Sequence, residues 1–399
     1  MSTNQEHWCN KLVNKHARNI LYVLPTKGWN TKERFAFRDI AQAKKHGYNI
    51  YIFAYDDSFA AKMARQMEIE VIPYKQHFLN RFFNFHKHLS LAPAFKKAHI
   101  DIVHCYNFNL LCSISIQLKR QNVTALVVTQ DHCIDRPLQR FWYKPLISRI
   151  DSLIIANKNL LQDSLGNLGL PLKKIEYFGL GIKYEDAVNP LQIAVNFELY
   201  KDYFLVGTYV SPGLNDHKNL VPVLAALKVI NEKIPAGKKS KLVLISPVDF
   251  QGMSLLPNLM RDIQEQDLQE DVLFVTTADI IGVISRLDLW VSNAPGELIE
   301  DFAISALVHE VPSILPRNFC SKDLIEEYEG VGETYKLFDA RELRDKWEKM
   351  ILGQAVYREK TRLYKYFIER EHSHKNYKTQ LMNLYSKSIQ RRVRLFRKK

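Results

Sequence analysis

Two stretches in the second half of the chain hold residues whose types and spacing suit the binding of a polar or anionic ligand. In GTYVSPGLNDHKNLVPVLAAL, an apolar run leads to Gly207 and Thr208, and Lys218 and Asn219 stand where a helix is about to begin. A lysine ammonium beside the open amides of a helix start attracts phosphate, although the same lysine also suits a solvated surface. In LDLWVSNAPGELIEDFAISALVHEVPSILPR, an apolar run meets Pro295-Gly296-Glu297, then an apolar helix that stops before Val311-Pro312. Glu297 falls near that helix start, where a carboxylate complements the dipole, as Glu300 and Asp301 equally could. In the first half, VVTQDHCID brings Asp131, His132 and Asp135 to the carboxyl end of another apolar run. Asp131 and His132 compete for one ligand-facing place. Gly28, in PTKGWNTKE, permits close backbone approach to a ligand.

The elements that must position these residues alternate along the chain. NILYVLP, NIYIFAY, EVIPY, DIVHCY, ALVVTQ and SLIIAN are buried strands, with amphipathic text such as TKERFAFRDIAQAKKHG between them. The pattern restarts with YFLVGTY, KLVLIS, DVLFVTT, LDLWVSN and PSILPR. Continuous β-branched runs separated by helices predict parallel sheets covered on both faces. Such sheets bind ligands beyond the carboxyl ends of their strands, where the residues above fall. The weakly periodic stretch KYEDAVNPLQIAVNFELYKD between the halves suits a linker.

The chain has 399 residues, enough for two domains at roughly 100–200 residues each. Apolar residues make up 46% and charged residues 25%, which excludes a disordered or fibrous protein. Five cysteines with no CxxC pair predict reduced thiols in a cytosolic protein, with neither a disulfide framework nor a zinc site. No stretch approaches the ~20 apolar residues of a spanning helix, and the polar N-terminus carries no secretory signal. There is no GxGxxG, P-loop, GxSxG or HExxH, which removes the main support for dinucleotide, NTPase, α/β-hydrolase and zincin chemistry.

The net charge of +13 is unevenly placed: residues 1–200 carry +10, residues 201–350 carry −8, and residues 351–399 carry +11. Basic surfaces seek phosphate in nucleic acid or in anionic lipid. No RRM signature, zinc finger or helix-turn-helix is present, so lipid is favoured and no nucleic-acid partner is expected. Residues 74–97 add Phe78, Phe82, Phe85 and Leu89 at helical spacing, with Lys75, Arg81, Lys87, Lys96 and Lys97 among them. That stripe is either core-facing or an interfacial helix that beds phenylalanine in lipid beneath headgroup-bound cations. The terminal RRVRLFRKK supplies six cations in nine residues.

These motifs together resemble the GT-B glycosyltransferases, most closely the retaining family 4, over about residues 19–388. VGTYVSPGLNDHKN is similar to the opening of that family's second domain, KKIEYFGLGIKY with Gly181 to its strand end before the linker, and DIVHCYN around His104 to its "Asp-Ile-Val-His" strand. HSHKNYKTQLMNLY resembles its terminal helix. Of the two family glutamates separated by seven residues, Glu297 matches the first, and Ser305 falls at the second. Thr208 stands where the family has a diphosphate-binding arginine, with Lys218 and Arg317 as spare cations.

The resemblance implies an α/β protein of GT-B fold, two Rossmann-like doubly wound domains facing each other across a cleft. The expected domains are 1–185 for the acceptor, a linker at 186–200, 201–365 for the nucleotide-sugar donor, and 366–399 for a returning helix and basic tail. It implies a retaining glycosyltransferase acting on a nucleotide-diphosphate sugar, with no metal or other cofactor. Lys218 and Asn219 would hold the diphosphate, Glu297 the donor sugar, and Ser305 a ribose hydroxyl, with Gly28 and Thr208 also at the donor. Asp131 or His132 would line the sugar site. The expected acceptor is lipid-linked or a polysaccharide, as in lipopolysaccharide, capsule or glycolipid biosynthesis. Phe78, Arg81, Phe82 and Phe85 would meet the anionic membrane or acceptor, on a cytoplasmic protein peripheral to the inner face of the membrane. The alternative is a degenerate GT-B subunit that serves as a non-catalytic partner of another transferase.

Overall fold

The structure is a computed structural model that describes residues 18–74, 90–107, 110–118, 123–130, 144–158, 160–182, 195–211, 217–234, 239–294 and 300–397. Asp131, His132, Glu297, Phe78, Arg81, Phe82 and Phe85 lie outside the described residues. The chain forms two compact units. One takes in the described residues up to Lys27, Lys32–Gly179 and the chain from Lys375 onward; the other takes in Gly28–Thr31 and Leu180–His374.

The first unit is built on a seven-stranded parallel sheet. Its strands are β1 (Asn19–Leu24), β2 (Asn49–Ala54), β3 (Glu70–Pro73), β4 (Ile102–Cys105), β5 (Ala125–Gln130), β6 (Ser152–Ile155) and β7 (Ile175–Tyr177), in the order β3-β2-β1-β4-β5-β6-β7. The second unit has a six-stranded parallel sheet in the order β10-β9-β8-β11-β12-β13. Its strands are β8 (Phe204–Tyr209), β9 (Ser240–Ser246), β10 (Val272–Thr276), β11 (Leu289–Val291), β12 (Ser313–Pro316) and β13 (Gly332–Tyr335). Every residue of β5, β8, β9, β11 and β12 is buried, as expected of strands covered on both faces. The strand order reverses between β1 and β4 in one sheet and between β8 and β11 in the other.

The same carboxylate device recurs in both sheets. Asp101, just ahead of β4, accepts the Asn19 amide at 2.9 Å; Asp151, ahead of β6, accepts that of Leu126 at 2.9 Å; Asp288, ahead of β11, accepts that of Leu205 at 2.9 Å. Each side chain satisfies an amide at the start of the neighbouring strand that would otherwise lack a partner. The helix Thr31–Lys45 carries Glu33 in its first turn and Lys44 and Lys45 in its last, matching its dipole. Gly47, at φ +79, then turns the chain toward β2 in a conformation that side chains resist.

The helix His374–Arg397 belongs almost wholly to the first unit, and polar contacts fix it there. Asp39 is fully buried and accepts hydrogen bonds from Tyr377 at 2.7 Å, from the Tyr106 hydroxyl, and from Arg38 Nε at 3.3 Å. Arg38 also stacks over the Tyr377 ring, 4.0 Å from its centroid. Tyr385 reaches His104 Nδ1 at 2.8 Å and the Tyr22 hydroxyl at 2.9 Å, and Thr129 meets His104 Nε2 at 3.0 Å. Farther along, Ser388 bonds Ser152 at 2.7 Å. Arg391 donates to the Asp151 carbonyl at 3.1 Å and to Ser152 at 2.9 Å, while Arg392 pairs with the Asp151 carboxylate at 2.9 Å.

These contacts correct one expectation. Arg391 and Arg392 are not available cations of a basic tail but structural partners of Asp151. Of the terminal cations, Arg394 is exposed, whereas Lys398 and Lys399 lie outside the described residues.

Burial, assisted by nearby Arg38, pulls the His104 imidazole down from 6.5 to about 3, so it is neutral in the fold. The unfolded chain takes up a proton as pH falls through 6.5, whereas the folded one does not until about 3. The His104 contribution is therefore complete above 6.5 and is lost progressively toward the lower value. From about pH 7 to about pH 5 stability should drop by about 2 kcal/mol on this account. Denaturant titrations at the two pH values check this: His104→Gln should flatten the difference, and an unchanged difference would place its origin elsewhere.

Candidate functional site

The second unit brings several predicted residues to one place, the carboxyl ends of β8 and β11. The register between these strands runs through Val206–Leu289 and Gly207–Trp290, whereas Thr208 and Tyr209 continue in register with β9. Beyond β8 the chain passes Ser211 and enters the helix His217–Lys233; beyond β11 it passes Ser292 and Asn293 toward the helix Asp301–Val308. Both expected ligand loops thus start from the two sides of one topological switch point. Phe302, in the first turn of the second helix, lies 4.8 Å from the Tyr209 ring and 6.1 Å from the Trp290 ring. That aromatic contact draws the start of this helix toward the end of β8.

Gly207 has a packing reason. A Cβ there would lie 2.1 Å from Leu287 Cδ1 and 3.3 Å from the Trp290 ring, both in fully buried side chains. The glycine lets β8 pass these side chains. Thr208 follows, fully buried, and its hydroxyl has no hydrogen-bond partner. Asn293 is 5% exposed, and its Nδ2 also lacks one. Buried polar groups are nearly always paired, and these two lie just ahead of the two expected ligand loops.

Lys218 is exposed in the first turn of its helix, whereas the Asn219 side chain is buried. His217, beside them, is held by Asp262 at 2.5 Å. Gly28 is buried and groups with the second unit, in which the Ser211 hydroxyl donates to the Trp29 carbonyl at 2.7 Å. Gly181 adopts φ +60, the left-handed conformation, and its carbonyl meets His374 Nδ1 at 3.0 Å.

Ser305 is buried, and its hydroxyl donates to the Asp301 carbonyl at 2.9 Å within its own helix. Arg317 is not a spare cation, because it pairs with Glu342. Glu300 is not a solvated helix-start charge either. It is 4% exposed, makes no capping bond, and accepts the Trp290 indole N–H at 3.3 Å.

Burial and the Glu300 carboxylate push the Tyr335 phenol well above its ordinary range, so it remains a neutral donor to the Ser292 carbonyl at 3.0 Å. Sequence reasoning missed Glu300, Trp290 and Tyr335 as a set that braces the loop after β11. Their signal was no more than a tryptophan in an apolar strand near a glutamate. Among the described residues, no group of three His, Cys, Asp or Glu side chains is placed to hold a metal ion.

No protein-family model matches the chain, and no curated protein matches it either. Solved structures do. A glycosyltransferase from Rickettsia africae ESF-5 is 16% identical with a TM-score of 0.65, covering 94% of this chain and 99% of its own. Anabaena Alr3699/HepE, solved in complex with UDP-glucose, is 16% identical with a TM-score of 0.66, covering 92% and 99%. Sucrose-phosphate synthase from Thermosynechococcus elongatus is 15% identical with a TM-score of 0.65, covering 92% and 98%. With its two Rossmann-like parallel sheets, the chain has the GT-B glycosyltransferase fold.

Thr208→Val offers a direct check of the unpaired hydroxyl. It keeps the β-branched shape and removes a buried polar group, so the ligand-free protein should be unchanged or up to about 1 kcal/mol more stable in denaturant unfolding. A loss of stability would mean that the hydroxyl has a structural partner.

Proposed function

We propose that the protein is a glycosyltransferase that moves a sugar from a nucleoside-diphosphate sugar to a lipid-linked or polysaccharide acceptor, such as a lipopolysaccharide core, capsule or glycolipid intermediate. The observation that carries this reading is the switch point between β8 and β11, where buried Thr208 and Asn293 keep unpaired polar atoms beside the starts of two ligand loops. The GT-B fold and the nucleotide bound by HepE support a nucleotide-sugar donor.

Glycosyl transfer requires stabilisation of a departing diphosphate, which preorganised cations and helix amides supply. Lys218 takes the diphosphate, with amides near Asn219 in support. Glu297 hydrogen-bonds the donor sugar, Asp131 or His132 lines its site, Ser305 accepts from the ribose, and Gly28 allows close approach. Transfer proceeds with retention and without a metal. Phe78, Arg81, Phe82 and Phe85 meet the acceptor at an anionic membrane, with the protein peripheral on its cytoplasmic face. Among the described residues, no helix is long and apolar enough to cross a membrane.

Three observations favour a second reading. Thr208 stands at the family's arginine position, the Ser305 proton is taken by its own helix, and Arg317 is occupied by Glu342. A degenerate GT-B subunit partnering another transferase would look the same. Substitutions separate the two.

Lys218→Ala should weaken nucleoside-diphosphate binding by about 1.5–3 kcal/mol in calorimetry, the scale of a charged hydrogen bond. Unchanged affinity would move the diphosphate elsewhere. Glu297→Gln should cut transfer strongly while leaving the melting temperature nearly unchanged. Glu300→Gln should instead lower the melting temperature, because its carboxylate braces Trp290. Equal activity in wild type and Glu297→Gln would remove Glu297 from the donor site.

A further inference from the structure

The helix Gln354–Glu371 turns Tyr357, Thr361 and Ile368 into the second unit, where all three are buried. Its other side presents an apolar stripe. Val356 is 63% exposed, Leu363 61%, Tyr366 66% and Phe367 56%. At 100° per residue these four positions fall on one face. Single exposed apolar residues are ordinary, but four large ones on one face of a helix are not. The Tyr366 and Phe367 rings meet edge to face at 6.0 Å, making a broad aromatic end to the stripe.

Charge decides what covers it. Residues 201–350 carry −8, yet this helix carries five Lys and Arg against three Glu. Arg358 turns to Asp288 at 3.5 Å, Lys365 pairs with Glu310 at 3.2 Å, and Glu371 accepts from Tyr328 at 2.7 Å. Lys360 and Arg362 remain exposed at the two edges of that face, exposed Glu359 and Arg370 project from within it, and Glu369 is partly buried. An apolar face rimmed by long cations beds in the acyl–headgroup boundary while the cations reach lipid phosphates. A second copy would set two basic helices side by side.

We propose that the stripe Val356–Leu363–Tyr366–Phe367 is an interfacial surface by which the second unit lies on an anionic membrane. Its biological purpose rests on the lipid-surface reading above, but its binding is measured separately from transfer. The surface lies on the nucleotide-binding unit, away in sequence from the expected docking segment at 74–97.

The test is co-sedimentation of the full chain with phosphatidylcholine vesicles and with vesicles of equal phosphatidylcholine and phosphatidylglycerol. Leu363→Ser/Phe367→Ser should lose about tenfold or more in partitioning to the anionic vesicles, since two exposed side chains no longer insert. Lys360→Glu/Arg362→Glu should lose comparably on those vesicles and little on neutral ones. Both variants should keep the wild-type melting temperature, because every changed side chain is exposed. Undiminished vesicle binding by Leu363→Ser/Phe367→Ser overturns the inference but leaves the lipid-surface reading intact, with docking elsewhere. A wild type that binds no vesicles overturns both. A wild-type dimer in light scattering that the serine variant abolishes makes a second copy the occupant and also overturns the inference.

Discussion

The first unit is organised around a carboxylate with no water to solvate it. Burial pushes the Asp39 carboxyl above its usual range, and Arg38, Tyr106 and Tyr377 oppose that shift. Removing a partner from a buried charge costs several kcal/mol, so these contacts are obligatory rather than incidental. Tyr106 follows β4 and Tyr377 belongs to the last helix, so Asp39 joins the helix Thr31–Lys45, the sheet and the C-terminal segment in one polar centre. His104, kept neutral by the same burial, meets Tyr106 of that centre and extends it to Tyr385 through Nδ1 and to Thr129 at the end of β5 through Nε2. The helix His374–Arg397 is thus fixed at two levels, at Asp39 and again at Asp151.

The second unit solves a different problem at the same topological position. Its switch point is closed by aromatic packing, with Phe302 near Tyr209 and Trp290, and Trp290 tied to buried Glu300. Around that rigid support stand the unpaired Thr208 hydroxyl and Asn293 amide. Preorganised polar groups on firm elements are what diphosphate departure requires, because donors fixed in advance need no reorganisation as charge develops. The fold therefore starts both expected ligand loops from one switch point, with Lys218 in the first turn of the helix that follows β8.

Much of the sheet architecture was legible in sequence because buried parallel strands are continuous apolar runs. β13 was not. GETY is short, carries Glu333, and follows Gly330 at φ +86, so it has the composition of a turn. Glu333 belongs in a strand because Lys346, Lys349 and Tyr357 surround it and hold its carboxyl down at about 2. The polar centre at Asp39 was invisible for a related reason: Tyr377 lies 338 positions away. Arg391, Arg392 and Arg317 looked like available cations because local sequence shows charge but not distant partners. The positions of Gly207, Thr208 and Lys218 at a strand end and helix start were legible, since local pattern alone sets them. The lack of a partner for Thr208, and the packing role of Gly207, required the tertiary structure.

The central claim is that the second unit binds a nucleotide-sugar donor and the protein turns it over. The most direct measurement incubates the purified protein with a panel of nucleoside-diphosphate sugars and follows release of free nucleoside diphosphate without acceptor. A working transferase leaks sugar to water, so the account predicts slow release from at least one donor. It also predicts that this nucleotide raises the melting temperature, as a ligand selective for the folded state must. No release from any donor, with no thermal shift from any nucleotide, would contradict it.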